Sequence, residues 1–140
     1  MKRRVLAVTL AALAALACGS SPTGPLPDVS GPWVGQADVW TPDIQGTLPT
    51  YLAMTLTDQD GRITGTGGGA DCRFFPHCDS FGSFTVSGSH DDEGIRLVGT
   101  SAYGPTWTLV GRFQANGTLN GTGRGSTFQS ATWQMARVTR

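Results

Sequence analysis

The chain has 140 residues, 10 basic and 10 acidic side chains, a formal net charge of +0 and glycine at 20 positions. Nothing in that balance suggests nucleic acid as a partner, because binding a phosphate backbone demands a basic surface. The length suits one small domain around a single core.

Met1 to Arg4 carry three positive charges, and the thirteen residues from Val5 to Ala17 carry none of either sign. A basic start followed by a short apolar run is the pattern of an export signal. The run is too short for a spanning helix, which needs roughly 20 residues. Residues 1–17 are therefore expected to be a signal peptide. Ala15-Leu16-Ala17 ahead of Cys18 resembles the bacterial lipobox, with Ala15 where that family usually has Leu. The resemblance implies a diacylglyceryl group on the Cys18 thiol and acylation of the new amino terminus. Several chains anchor firmly, since each buried methylene contributes about 0.8 kcal/mol. An ordinary secretory signal that leaves Cys18 free, or a cytosolic chain, are the alternatives.

Residues 18–30 are rich in Gly, Ser and Pro and read as a flexible tether. By analogy with bacterial lipoproteins, Gly19 rather than Asp favours the outer membrane. The expected location is thus the bacterial cell envelope, with a lipid anchor as the membrane partner. Loss of Lys2, Arg3 and Arg4 leaves 7 basic residues, all Arg, against 10 acidic ones, a formal charge of about −3.

Residues 31–140 show no amphipathic helical stretch. Short alternating runs recur at intervals of roughly ten residues between turn-forming clusters, the signature of a β-barrel or sandwich. Eight strands are predicted: Trp33 to Thr41, Tyr51 to Thr57, Arg62 to Gly67, Ser83 to Ser89, Ile95 to Ser101, Thr106 to Phe113, Thr118 to Gly123 and Phe128 to Val138. Asp58 to Gly61, Asp91 to Gly94 and Ala115 to Gly117 each end in glycine, which takes the left-handed conformation that tight hairpins require. Short hairpins force neighbouring strands to be antiparallel.

Alternation places Leu52, Met54 and Leu56 on one face, and likewise Phe84 with Val86, Ile95 with Leu97, and Trp107 with Leu109 and Phe113. Glycine follows an apolar residue by two positions at Ile63/Gly65, Val86/Gly88, Leu97/Gly99, Leu109/Gly111 and Leu119/Gly121. Such glycines share the inward face, permit coiling and leave room inside. The expected fold class is all-β, an eight-stranded antiparallel up-and-down barrel, with an open β-sandwich as the alternative.

Gly31-Pro-Trp33-Val-Gly35, Gly61-Arg-Ile-Thr-Gly65-Thr, Leu119-Asn-Gly-Thr122 and Trp133 to Arg137 resemble the calycin type of barrel shared by avidins and lipocalins. The resemblance spans nearly the whole domain and implies a barrel able to take a ligand. No biotin-contact set transfers residue by residue.

Cys72 and Cys78 are expected to form a disulfide in an oxidising compartment, stapling a long loop between the third and fourth strands. A metal site using Cys72, Cys78, His77 and Asp79 is the alternative, although its spacing lacks the usual pattern. No metal or other cofactor is expected. Phe74 and Phe75 either tuck beneath that loop or form part of an interaction surface. His77 and His90 are expected at the solvated surface. No nucleophile elbow, paired metal histidines or phosphate loop is present, so the chain does not read as an enzyme.

The functional expectation is a membrane-tethered binding module for a small apolar or amphipathic ligand. Trp33, Tyr51, Trp107 and Trp133 are the candidates to line its site, or else they fill the core of a narrow barrel. The rival expectation is a protein-interaction or protease-inhibitor-like lipoprotein acting on an envelope protein through the disulfide loop.

Overall fold

Alternating apolar and polar residues can bury one face of a strand only if the sheet curls onto itself or another layer covers it. Here the sheet curls onto itself. The computed structural model describes residues 25–74, 77–102 and 104–139. The expected signal peptide, Cys18 and the first part of the tether lie outside the described residues, as do Phe75 and the side chains of Phe74 and His77.

The strands are β1 (Gly31–Thr41), β2 (Gly46–Gln59), β3 (Arg62–Phe74), β4 (His77–His90), β5 (Ile95–Ser101), β6 (Thr106–Phe113), β7 (Leu119–Gly125) and β8 (Ser130–Arg137). Each pairs antiparallel with the next, and β1 pairs with β8 from Trp33 opposite Arg137 to Trp40 opposite Ser130. The barrel is closed and its order is sequential. Closure removes the open-sandwich alternative and leaves no unpaired sheet edge.

The hairpins at one end, the base, follow the turn chemistry. Asp60 and Gly61 connect Gln59 to its partner Arg62 with φ of 53° and 85°. Positive φ at both central residues is the type I′ arrangement whose twist matches the flanking strands. Asp91 Oδ1 accepts hydrogen bonds from the backbone of Glu93 at 2.8 Å and of Gly94 at 2.9 Å, closing the next turn. Between β6 and β7, Gln114 N donates to Thr118 O at 2.8 Å.

The main departure from expectation is at β3 and β4. The residues between Gly67 and Ser83 were expected to be a long loop, but both strands continue through them and pair out to Phe74 opposite His77. The triple glycine Gly67 to Gly69 lacks side-chain alternation and so reads as a break. In three dimensions its backbone groups are held by partners on both sides, β2 and β4. Register shifts between Gly69 and Ala70 and between Asp71 and Phe74 interrupt the ladder. Cys72 and Cys78 are joined in a disulfide. It staples the tip of a hairpin rather than a loop, and it takes both sulfurs out of the metal alternative.

The glycines two positions after apolar residues do lie on the inward side; Leu56, Trp107 and Trp133 use the room left at Gly65, Gly99 and Gly111, while at Gly88 and Gly121 the neighbouring strand's backbone comes close. At Gly111 a Cβ would stand 2.5 Å from the Trp133 ring and 2.2 Å from the Asn120 carbonyl. Only hydrogen fits there.

The barrel's two halves differ. Its largest fully buried side chains, Val29, Trp33, Leu56, Ile63, Leu97, Leu119 and Met135, all belong to the half nearer the base. Val29 precedes β1, in the span expected as tether, yet it is 0% exposed. Trp33 Nε1 donates to its carbonyl at 2.9 Å, and Arg137 lies over the Trp33 ring at 5.3 Å while donating to the Asp28 carbonyl. Residues 28–30 thus cap the base, and the packed interior lies behind them.

Candidate ligand-binding site

The opposite end, the mouth, carries the connections β1–β2, β3–β4, β5–β6 and β7–β8. Side chains that alternate inward near this end do not meet across the barrel. They enclose a cavity of about 260 Å³. Ala37, Val39 and Thr41 come from β1, Leu48, Thr50 and Leu52 from β2, and Ala131 from β8; Phe81 and Phe84 on β4 face Trp107 and Leu109 on β6. Asp43, Pro105 and Thr127, all exposed, form part of the rim. The lining is therefore apolar in depth and polar at the edge, as small-molecule sites usually are.

The aromatic wall is fixed by contacts. Phe84 and Trp107 meet edge to face with ring centroids 5.1 Å apart, and Phe81 stacks on Phe84 at 6.4 Å. Trp107 lies against Gly99, where a Cβ would stand 2.0 Å from the indole, and Phe84 likewise occupies the space at Gly67. Phe128 covers Gly125. Rings seated on glycine backbone leave their remaining surface to the cavity.

Four polar side chains, Thr41, Thr50, Asp71 and Ser101, complete the inner lining. Thr50 Oγ1 donates to Asp71 Oδ1 at 2.7 Å, which fixes the carboxylate on β3 against β2. Thr41 is 9% exposed and its buried hydroxyl has no hydrogen-bond partner among the described residues. A buried polar atom left unsatisfied in this way is uncommon and invites a ligand atom. No Lys, Arg or His stands among the described lining residues.

Of the four aromatic candidates from the sequence, Trp107 is the one that lines the cavity. Trp33 is buried at the base. Trp133 is buried nearer the base than Ala131, with Nε1 donating to the Thr122 carbonyl at 3.0 Å. Tyr51 is 47% exposed on the outer face. It has the opposite parity to Leu52, Met54 and Leu56, so alternation already carried that answer. Phe81, Phe128, Thr41, Thr50 and Asp71 were not singled out. Thr41, in the predicted first strand with the parity of Trp33, and Thr50, one residue ahead of the predicted second strand with the parity of Leu52, both point inward by alternation; the other three need the true length of the strands or the position of the turns.

His90 corrects an expectation. It is buried rather than solvated, with Nε2 2.6 Å from Asp58 Oδ2 and its ring edge-on to Phe113 at 6.2 Å. Asp58 also accepts from the backbone of Val29 at 3.3 Å and of Gly61 at 2.9 Å. Burial pushes the Asp58 carboxyl up, but these hydrogen bonds, that from His90 foremost, outweigh it and hold the group below its ordinary value. With Asp58 ionised, His90 Nε2 carries the proton and donates. This network belongs to the base, and none of its residues is among those that line the cavity.

No known family model matches the sequence, and no curated protein matches it. The chain is similar in fold to a de novo designed fluorescence-activating β-barrel. The likeness has a TM-score of 0.61 at 11% sequence identity and covers 78% of this chain and 93% of the designed one. Identity this low speaks to fold alone.

Proposed function

We propose that the protein is a binding module which takes a small apolar or amphipathic ligand into the mouth of its barrel. The observation that carries this reading is the cavity of about 260 Å³ above a packed base. Burial of apolar ligand surface against Phe84, Trp107 and Leu109 drives such binding, and the few polar groups orient the ligand. An apolar cavity of about 150 Å³ suffices for benzene. The present one suits a ring bearing a short chain. The ligand-holding role that the calycin resemblance implies agrees with this reading, and the designed barrel of similar fold is named for fluorescence activation.

The lipobox resemblance at Cys18 adds a location to the proposal: a lipid-anchored place in the bacterial envelope, with the outer membrane favoured. Val29 is held in the barrel base, and Cys18 stands eleven positions before it. Fully extended, that span reaches at most about 40 Å. The ligand would then be collected close to the membrane surface.

A second reading rests on the disulfide-stapled end of β3 and β4, which lies at the mouth. It would dock onto an envelope protein through Phe74 and Phe75. Pull-down with wild type and with Phe74→Ser/Phe75→Ser decides it, because an unchanged set of captured proteins removes the loop from consideration. Native mass spectrometry of protein purified from its own source tests the first reading. A mass adduct lost from a variant with a filled cavity is expected, and an adduct retained by that variant contradicts binding at this site.

A further inference from the structure

Given the ligand-binding reading above, on which this step rests, we infer that the ligand is an organic ammonium ion: a protonated amine carrying a small apolar group. Its apolar part lies on the rings and its N–H groups meet Asp71 and Thr41.

The inference begins with the charges around the cavity. Asp43 and Asp71 contribute carboxylates, and the described lining residues contribute no cation. Among the described side chains, the group that meets Asp71 is the Thr50 hydroxyl, at 2.7 Å. A hydroxyl satisfies one lone pair and orients the carboxylate, but it does not neutralise it. An apolar neutral ligand seated here would strip water from Asp71 and return nothing, whereas a cation would restore both charge and hydrogen bonds. An anionic ligand would meet repulsion from both carboxylates.

Two further observations are independent of the acids. The Thr41 hydroxyl is buried without a partner among the described residues, so its oxygen is open to accept an N–H from a group reaching the inner wall. Thr41 and Thr50 both face inward near the mouth, so the two polar positions lie at the same end. The wall itself is aromatic, with Phe81, Phe84, Trp107 and Phe128 on the cavity. Ring faces attract a cation through their quadrupole, most strongly when water is excluded. Aromatic wall, fixed carboxylate and bare hydroxyl together describe a receptor for an amine.

The test compares three probes of nearly equal size by calorimetric titration of the full-length protein at neutral pH: 2-phenylethylammonium, neutral 2-phenylethanol and anionic 3-phenylpropionate. The ammonium is expected to bind at least tenfold more tightly than the alcohol, and the carboxylate more weakly than either. In Asp71→Asn an oxygen still accepts the Thr50 hydrogen bond while the charge is gone, so the fold is kept and the preference for ammonium over alcohol should fall to about parity. Equal or tighter binding of the alcohol to wild type overturns the inference and leaves the binding site standing. An ammonium preference that survives in Asp71→Asn overturns Asp71 as the counter-ion. Binding of none of the three overturns both this inference and the reading beneath it.

Discussion

His90 Nε2 lies 2.6 Å from Asp58 Oδ2, and this contact ties the end of β4 to the end of β2 across the base of the barrel. Asp58 also holds Val29 and the Gly61 turn, and its own backbone N–H donates to Ser30 Oγ at 3.0 Å. One carboxylate therefore joins the cap, a hairpin and a distant strand. A closed base permits the other end to remain hollow without collapse of the whole core.

That network has a definite pH signature. Asp58 titrates below its ordinary 3.8 in the folded protein, so the unfolded chain binds its proton first as pH falls. Its contribution to stability is complete above the unfolded value and is lost as pH drops through the folded one. Asp28 and Asp91 are also held low, by hydrogen bonds from Ser30 and from Gly94 and Glu93 respectively, and act in the same direction. Asp58→Asn should cost about 2–4 kcal/mol at neutral pH, since it replaces a charged acceptor in a network of buried donors. It should also flatten the acid limb of stability against pH. Denaturant melts from pH 2 to 7 check both effects.

A Cβ added at Gly99 would stand 2.0 Å from the Trp107 ring. Gly99→Ala must push the indole from its seat into the cavity or outward. The expected cost is about 1–3 kcal/mol, typical of overpacking, together with an altered near-UV circular dichroism spectrum. An unchanged spectrum and melting temperature would show that the aromatic wall is not held as described.

The Cys72–Cys78 bond closes a short ring at the tip of β3 and β4. On the loop-entropy model its removal should cost about 2 kcal/mol. Cys72→Ser/Cys78→Ser is expected to keep the barrel, because the remaining ladder of β3 with β4 runs from Arg62 to Asp71 without it. Amide exchange should rise at the hairpin tip and stay unchanged at the base.

Cys18→Ala bears on the envelope proposal. The disulfide joins Cys72 to Cys78 and so leaves Cys18 out, and the variant is expected to appear as a folded domain in the soluble fraction. Retention in the membrane fraction contradicts the lipid anchor.

Much of this barrel was legible in local pattern. Ile95 to Ser101 and Thr106 to Phe113 were placed to the residue, because each strand is short, alternating and bounded by turn residues. The extension of β3 was not, since Gly67 to Gly69 carry no side chains to alternate and their pairing is a property of β2 and β4. Nor was the burial of His90, whose partner Asp58 is 32 positions away and reads locally as a turn residue. The site suffered most from this. Asp71 and Phe81 lie in the stretch taken for loop, and Thr41's missing partner is visible only once the barrel has closed around it.

The central claim is that the mouth of the barrel is a ligand site, and filling it is the most direct test. Ala37→Phe places a ring in the cavity from β1, where Ala37 is buried in its lining. Titration of wild type and variant with 2-phenylethylammonium, followed by tryptophan fluorescence and calorimetry, should show saturable binding to wild type and at least a tenfold weaker interaction with a variant that still melts cooperatively. Equal binding by a folded Ala37→Phe protein would place any ligand elsewhere and contradict the account.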